Sequence, residues 1–208
     1  MVIEPEQIKE IVKVMREISP QCKLLVDETY HGMRVNDGVV PPSAAILGSD
    51  VIVVSSMSKT YGLPGTYHHI MTYNPLMLLV GVRIGWIICT DKVLMKTFLA
   101  AKEQIFVCGS VIDEEIAYQA LVNQRELLKP IKELSNHNFA TLKEWMSNNP
   151  FIEWIEPQGG VVCFPRIKNS INVDIEKFYQ LLKDKYKTYV GPGKICPNKA
   201  ICTDLDLA

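Results

Sequence analysis

Two short, continuous apolar runs, each closing on polar residues, constrain the fold more than any other feature of this 208-residue chain. Lys23–Asp27 reads "KLLVD" and Asp50–Ser56 reads "DVIVVSS". Apolar runs without alternation predict strands buried on both faces, the pattern of a parallel sheet sandwiched by helices. "RIGWIIC" (Arg83–Cys89) is a third candidate strand. Helices are expected around them. Ile8, Ile11, Val12, Met15 and Ile18 repeat at helical spacing behind Pro5, and Ser19-Pro20 ends the pattern. Asp91 caps a helix running to about Ile105, with Leu94, Phe98 and Leu99 on its apolar side. From Val111 to Asn148 the pattern is helical, with Pro130 as the expected break.

After Asn148 the texture changes. "FIEWIEPQGGVVCFPRI" alternates as a strand pair around Gly159-Gly160, and Asp174–Tyr186 forms a further amphipathic helix. Trp145 and Trp154 read as packing between the long helices and this smaller piece. The fold class is α/β: an open, mostly parallel sheet followed by a small α+β piece. In such sheets ligands sit beyond the carboxyl ends of the strands.

Composition narrows the function classes. A formal net charge of -1 and no Lys/Arg cluster give no reason to expect nucleic acid. Six cysteines at positions 22, 89, 108, 163, 196 and 202 include no CxxC pair, so neither a zinc site nor a disulfide framework is expected. His68-His69 are adjacent and point apart in most backbones, so no metal is expected there either. His31 and His137 read as surface or helix residues. The N-terminus is charged from Glu4, unlike a secretory signal. The most apolar stretch, Pro75–Ile88, is too short to span a bilayer and carries Arg83. A cytoplasmic protein without membrane partners is expected.

The chemistry lies at the strand ends. Asp27 closes one strand in "LLVDETYHG", and Lys59 follows another in "VVSSMSKTYG". A partly desolvated lysine is a nucleophilic amine, and a carboxylate opposite can keep a pyridine nitrogen protonated. Tyr30 could reach a phenolic oxygen of the same ring. Ser56 and Ser58 supply hydroxyls for a phosphate, with Met57 between them pointing into the core. An acid and a lysine on neighbouring strand ends suit a Schiff-base cofactor, although each residue alone is more often a cap or a solvated side chain.

"LLVDETY", "SSMSKTYGLPG" and "VRIGW" together resemble the fold-type-I, pyridoxal-phosphate-dependent class I/II aminotransferases, whose layout is D-x-x-Y followed by S-x-S-K-x-x-G-x-x-G-x-R-x-G. The resemblance implies that Lys59 binds pyridoxal 5'-phosphate as a Schiff base and shuttles the α-proton. Asp27 would pair with the pyridine nitrogen, Tyr30 with the phenolic oxygen, and Ser56, Ser58 and Arg83 with the phosphate. It further implies transfer of an amino group between an amino acid and a 2-oxo acid, and a homodimer. Other chemistries of the same fold (lyase, decarboxylase, cyclising synthase) and a non-catalytic fragment or pseudoenzyme stay open. The domains implied are a large cofactor-binding part over 1–107, connecting helices over 108–148 and a small domain over 149–208.

Three departures accompany the match. The family arginine stands eight residues after the lysine, where this chain has Tyr67; removing Thr66–Gly81 brings Arg83 into place and restores "SKTYGLPGVRIGW". Residues 66–81 therefore read as an insertion or a gene-model artefact. The match begins at "VIEPEQI", after the family's asparagine-proline-rich turn, so the family's N-terminus is expected to be missing. The tail "KICPNKAICTDLDLA" lacks the arginine that grips a substrate carboxylate, and a shifted reading frame after Gly193 is the expected cause.

Overall fold

A computed structural model of the chain describes residues 3–34, 40–62, 82–192 and 205–206. These form two compact units, one spanning Ile3–Lys132 and the other beginning at Glu133.

The first unit opens with α1 (Pro5–Ile18). Pro5 occupies the first turn, where its missing N–H costs nothing, and Glu4 with Gln7 forms a reciprocal capping box. Strands β1 (Leu24–Asp27), β2 (Val51–Ser56) and β3 (Gly85–Ile88) make a sheet in that order. β1 and β2 are parallel, from Leu24 opposite Val51 to Asp27 opposite Val54. β3 runs antiparallel to β2, from Val53 opposite Ile88 to Ser56 opposite Gly85. The described sheet is thus mixed, with one parallel and one antiparallel pairing.

Residues directly opposite one another share a sheet face. Val51, Val53, Ser55, Leu24, Val26 and Trp86 therefore lie on one face, and Leu25, Asp27, Ile52, Val54, Ser56 and Ile87 on the other. The first face is the packed one. Val51 and Val53 meet Val12 of α1 and Ala44 of a 3₁₀ turn (Ala44–Leu47). Continuing past β2, Met57 packs with Tyr61, Val82, Ala117 and Ala120. Met57 is fully buried, as expected from its place between the serines.

Asp91 caps α2 (Lys92–Ile105), accepting from the Val93 and Leu94 N–H groups at 2.9 and 3.2 Å. Leu94 and Phe98 are half-buried, but Leu99 is exposed, and α2 contributes no fully buried residue. The expected apolar side is therefore narrower than its sequence pattern. Helices α3 (Val111–Val122) and α4 (Gln124–Asn148) follow. Their break is at Asn123, and Pro130 sits inside α4. Asn123 closes α3 because its Nδ2 and its own N–H both donate to the Gln119 carbonyl, at 2.9 and 3.0 Å. Its carbonyl then accepts from the Leu127 N–H and starts α4.

In the second unit, β4 (Ile152–Glu153) and β5 (Arg166–Ile167) pair antiparallel, and α5 (Ile175–Asp184) is capped by Asp174. The strand pair exists where expected but is two residues deep on each side, with Pro157 and Pro165 lying between. Phe139 of α4 stacks on Trp154 with centroids 6.1 Å apart. Trp145 is half exposed, so the expected aromatic packing falls to Phe139 instead. Gly191–Pro192 (β6) pairs with Leu205–Asp206 (β7). All of the expected insertion, residues 66–81, and the tail between 193 and 204, with His68, His69, Cys196 and Cys202, lie outside the described residues. Among the described residues, no helix is long and apolar enough to cross a membrane.

Candidate functional site

The parallel pairing of β1 and β2 brings Asp27 and the loop carrying Lys59 to one edge of the sheet. Asp27 stands opposite Val54, and the Glu28 N–H continues the ladder to the Val54 carbonyl at 2.8 Å. Ser56 follows Val54 by two residues, on the same face as Asp27. After Ser56 the chain turns. The Ser58 N–H donates to Ser56 Oγ at 3.3 Å, and the Gly62 N–H to the Lys59 carbonyl at 3.1 Å. Gly62 holds φ +66°, a left-handed conformation that costs a glycine little and explains that glycine in "SKTYG".

Lys59 is exposed and has no ion-pair partner among the described residues. The expected partial desolvation of its amine is therefore not met: its neighbours Thr60 and Tyr61 turn inward while the lysine turns out. Burial pushes the Tyr61 phenol above its ordinary range, keeping that anchor of the loop neutral. Tyr30, half-buried, lies in the tight turn after β1, where its carbonyl accepts from the Met33 N–H at 3.0 Å.

Arg83 returns to this edge despite the long segment before it. The Met57 N–H donates to the Ile84 carbonyl at 3.0 Å, carrying the β2–β3 register one step beyond Ser56 and Gly85. Arg83 directly precedes Ile84, at the end of β3 that lies beside the end of β2. The backbone thus leaves Asp27, Ser56, Ser58, Lys59 and Arg83 at the same edge of the sheet. Tyr30 joins them only through its turn.

Three supporting residues escaped the sequence reading. The Glu28 carboxylate accepts from the Ala44 N–H at 2.7 Å, and the Glu28 carbonyl accepts from Ser55 Oγ at 3.2 Å. Thr29 donates its N–H, at 2.9 Å, and its hydroxyl to the same oxygen of Asp27, Oδ1. Thr60 donates its hydroxyl to the Thr29 carbonyl. Local sequence signals neither the Glu28 bonds nor the Thr60 bond, which are long-range, whereas a Thr two residues after an Asp is a common turn signature. His31 is half-buried, and its Nε2 is enclosed with no hydrogen-bond partner among the described residues; His137 is exposed on α4.

An open cleft of about 290 Å³ along α1, lined by Lys9, Val12, Lys13, Arg16, Glu17 and Leu47, lies toward the opposite end of β2. Its Arg16 is already held by both oxygens of Asp50 at 2.7 Å, which keeps that carboxyl below its usual range. Cys22, Cys89, Cys108 and Cys163 are not joined in disulfides, and no cluster of metal-ligating side chains occurs among the described residues.

No curated protein matches the chain. Solved structures do. A PLP-dependent aminotransferase from Streptococcus suis 89-1591 matches with a TM-score of 0.79 at 23% identity, over 100% of this chain and 48% of that one. An aromatic aminotransferase from Pyrococcus horikoshii OT3 matches at 0.74 and 18%, over 95% and 48%. A PLP-bound C-S lyase from Staphylococcus hominis matches at 0.75 and 14%, over 99% and 48%. The chain therefore has their fold over about half their length. The model of the family described as aminotransferase class I and II matches residues 1–68 and 76–202, and the residues it skips fall inside the expected insertion. With nearly the whole chain covered by that match, the protein belongs to the class I and II aminotransferase family.

Proposed function

We propose that this chain binds pyridoxal 5'-phosphate through Lys59 and serves the transfer of an amino group between an amino acid and a 2-oxo acid. One observation carries the reading: Asp27 and the Lys59 loop leave adjacent parallel strands at the same edge, on the sheet face that keeps its polar residues open. The residues fit the cofactor. Asp27 Oδ1 is held by Thr29, while Oδ2 has no partner among the described residues. Two serine hydroxyls and a guanidinium at one strand end make an anion-binding set.

Bound pyridoxal phosphate supplies an aldehyde that an amine captures and a ring that takes up electron density from the substrate's α-carbon. Lys59 Nζ holds the cofactor and later takes and returns the α-proton. The Asp27 carboxylate holds a proton on the ring nitrogen, and Tyr30 bonds the phenolic oxygen. Ser56, Ser58 and Arg83 bind the phosphate. We place the protein in the cytoplasm as a homodimer, with residues 1–107 as part of the large domain, 108–148 as connecting helices and 149–208 as part of the small domain. Residues 66–81 belong to this proposal as an insertion, and the tail after Gly193 as a shifted reading frame.

The test is reductive trapping. Borohydride treatment of the chain with pyridoxal phosphate, followed by peptide mapping, is expected to label Lys59, and Lys59→Ala to lose the label. A tag on another amine, or none, overturns the reading and favours a non-catalytic fragment. The fold shared with a C-S lyase supports a second reading, elimination chemistry at the same lysine. Amino-acid turnover that does not depend on an added 2-oxo acid would select it.

A further inference from the structure

We propose that Thr60 and Thr29 are positioning residues that lock the Asp27 carboxylate to the Lys59 loop, an inference that rests on the cofactor reading above. Thr60 is the one polar residue fully buried among the described residues, at 5% exposure, and it directly follows Lys59. A buried hydroxyl must be hydrogen-bonded, and this one donates to the Thr29 carbonyl, on the loop after the neighbouring strand. Its methyl is fixed as well: a side chain at Gly32 would place its Cβ 3.0 Å from Thr60 Cγ2, so the absence of one lets the two loops close on each other.

Thr29 completes the connection. An ordinary Asp turn uses only the backbone N–H two residues on. Here the Thr29 hydroxyl joins the N–H on the same carboxylate oxygen, Oδ1. Two donors on one oxygen set the plane of the carboxylate and leave Oδ2 to meet a protonated ring nitrogen. The connection therefore runs from Lys59 through the peptide to Thr60, across to the Thr29 carbonyl, and through Thr29 to Asp27. It fixes the distance between the group that holds the cofactor and the group that polarises it.

The experiment uses the full chain, as wild type, Thr60→Val, Thr60→Ser, Thr29→Val and Thr29→Ser, with two readouts. Without cofactor, amide exchange over residues 27–33 is expected to quicken about tenfold in Thr60→Val, the scale of one lost buried hydrogen bond, and to stay near wild type in Thr60→Ser. With pyridoxal phosphate, the pH midpoint of the visible absorbance is expected to move by about half a unit or more in Thr29→Val and Thr60→Val, and not in the serine variants. Should Thr60→Val fail to fold, the half-buried Thr29→Val carries the second readout alone. Wild type labelled at Lys59 with valine midpoints unmoved overturns the positioning role and leaves the cofactor reading intact. Wild type unlabelled at Lys59 overturns the cofactor reading, and this inference with it.

Discussion

The two faces of the three-stranded sheet are built from the same kinds of residue and do different work. On one, Val51 and Val53 are 1% and 0% exposed beneath α1 and the 3₁₀ turn, and Met57 continues that packing against α3. On the other, Leu25 is 63% and Ile87 is 53% exposed, and Asp27 and Ser56 stand among them. Apolar area removed from water stabilises a fold by roughly 25 cal/mol per Å². The covered face therefore carries the stability of the first unit, and the open face carries its polar chemistry.

That division can be broken by mutation, and the largest effect belongs to the covered face. Met57→Ala is expected to destabilise by about 2–5 kcal/mol, read by urea denaturation, since it opens a cavity where the chain turns toward Lys59. Asp27→Ala should leave that stability nearly unchanged while weakening pyridoxal phosphate binding about 10- to 100-fold, as measured by absorbance titration. An equal loss of fold at both positions would erase the distinction.

Arg16→Ala tests the tie that holds α1 to the covered face, with a smaller effect and a defined pH dependence. The Arg16 guanidinium bonds both Asp50 oxygens and lowers that carboxyl from its ordinary 3.8. A lowered folded-state value means stability present above 3.8 and lost as pH falls through the folded value. The variant should melt below wild type near neutral pH and converge with it in acid; a gap that persists in acid would assign the loss to packing instead. Smallest of all, Leu25→Ser on the open face should change stability by no more than about 0.5 kcal/mol. A cost near that of Met57→Ala would mean that the open face is covered in solution.

The contrast also marks where reading letters succeeds. Asp91 was legible as a cap because capping is a bond between near neighbours. The Leu24–Asp27 and Val51–Ser56 strands were legible because their apolar runs have few alternatives. Asn123, not Pro130, divided the helices, since a side-chain bond to Gln119 outweighed a proline in the second turn of α4. The apolar runs also promised burial on both faces, which the described residues supply on only one. Thr60 was invisible because its partner comes from another strand end.

By itself the sequence determined the element order, the polar endings of β1 and β2, and the lysine motif with its family, all of which are written in local spacing. The tertiary structure alone decided that β3 runs antiparallel to β2, so that the chain re-enters the sheet beside the end of β2 after a long intervening segment. It also decided which sheet face is packed, and that a buried threonine joins the Asp27 and Lys59 loops. These depend on register and burial between segments distant in the chain, where hydrogen-bond and packing energies outweigh any local propensity.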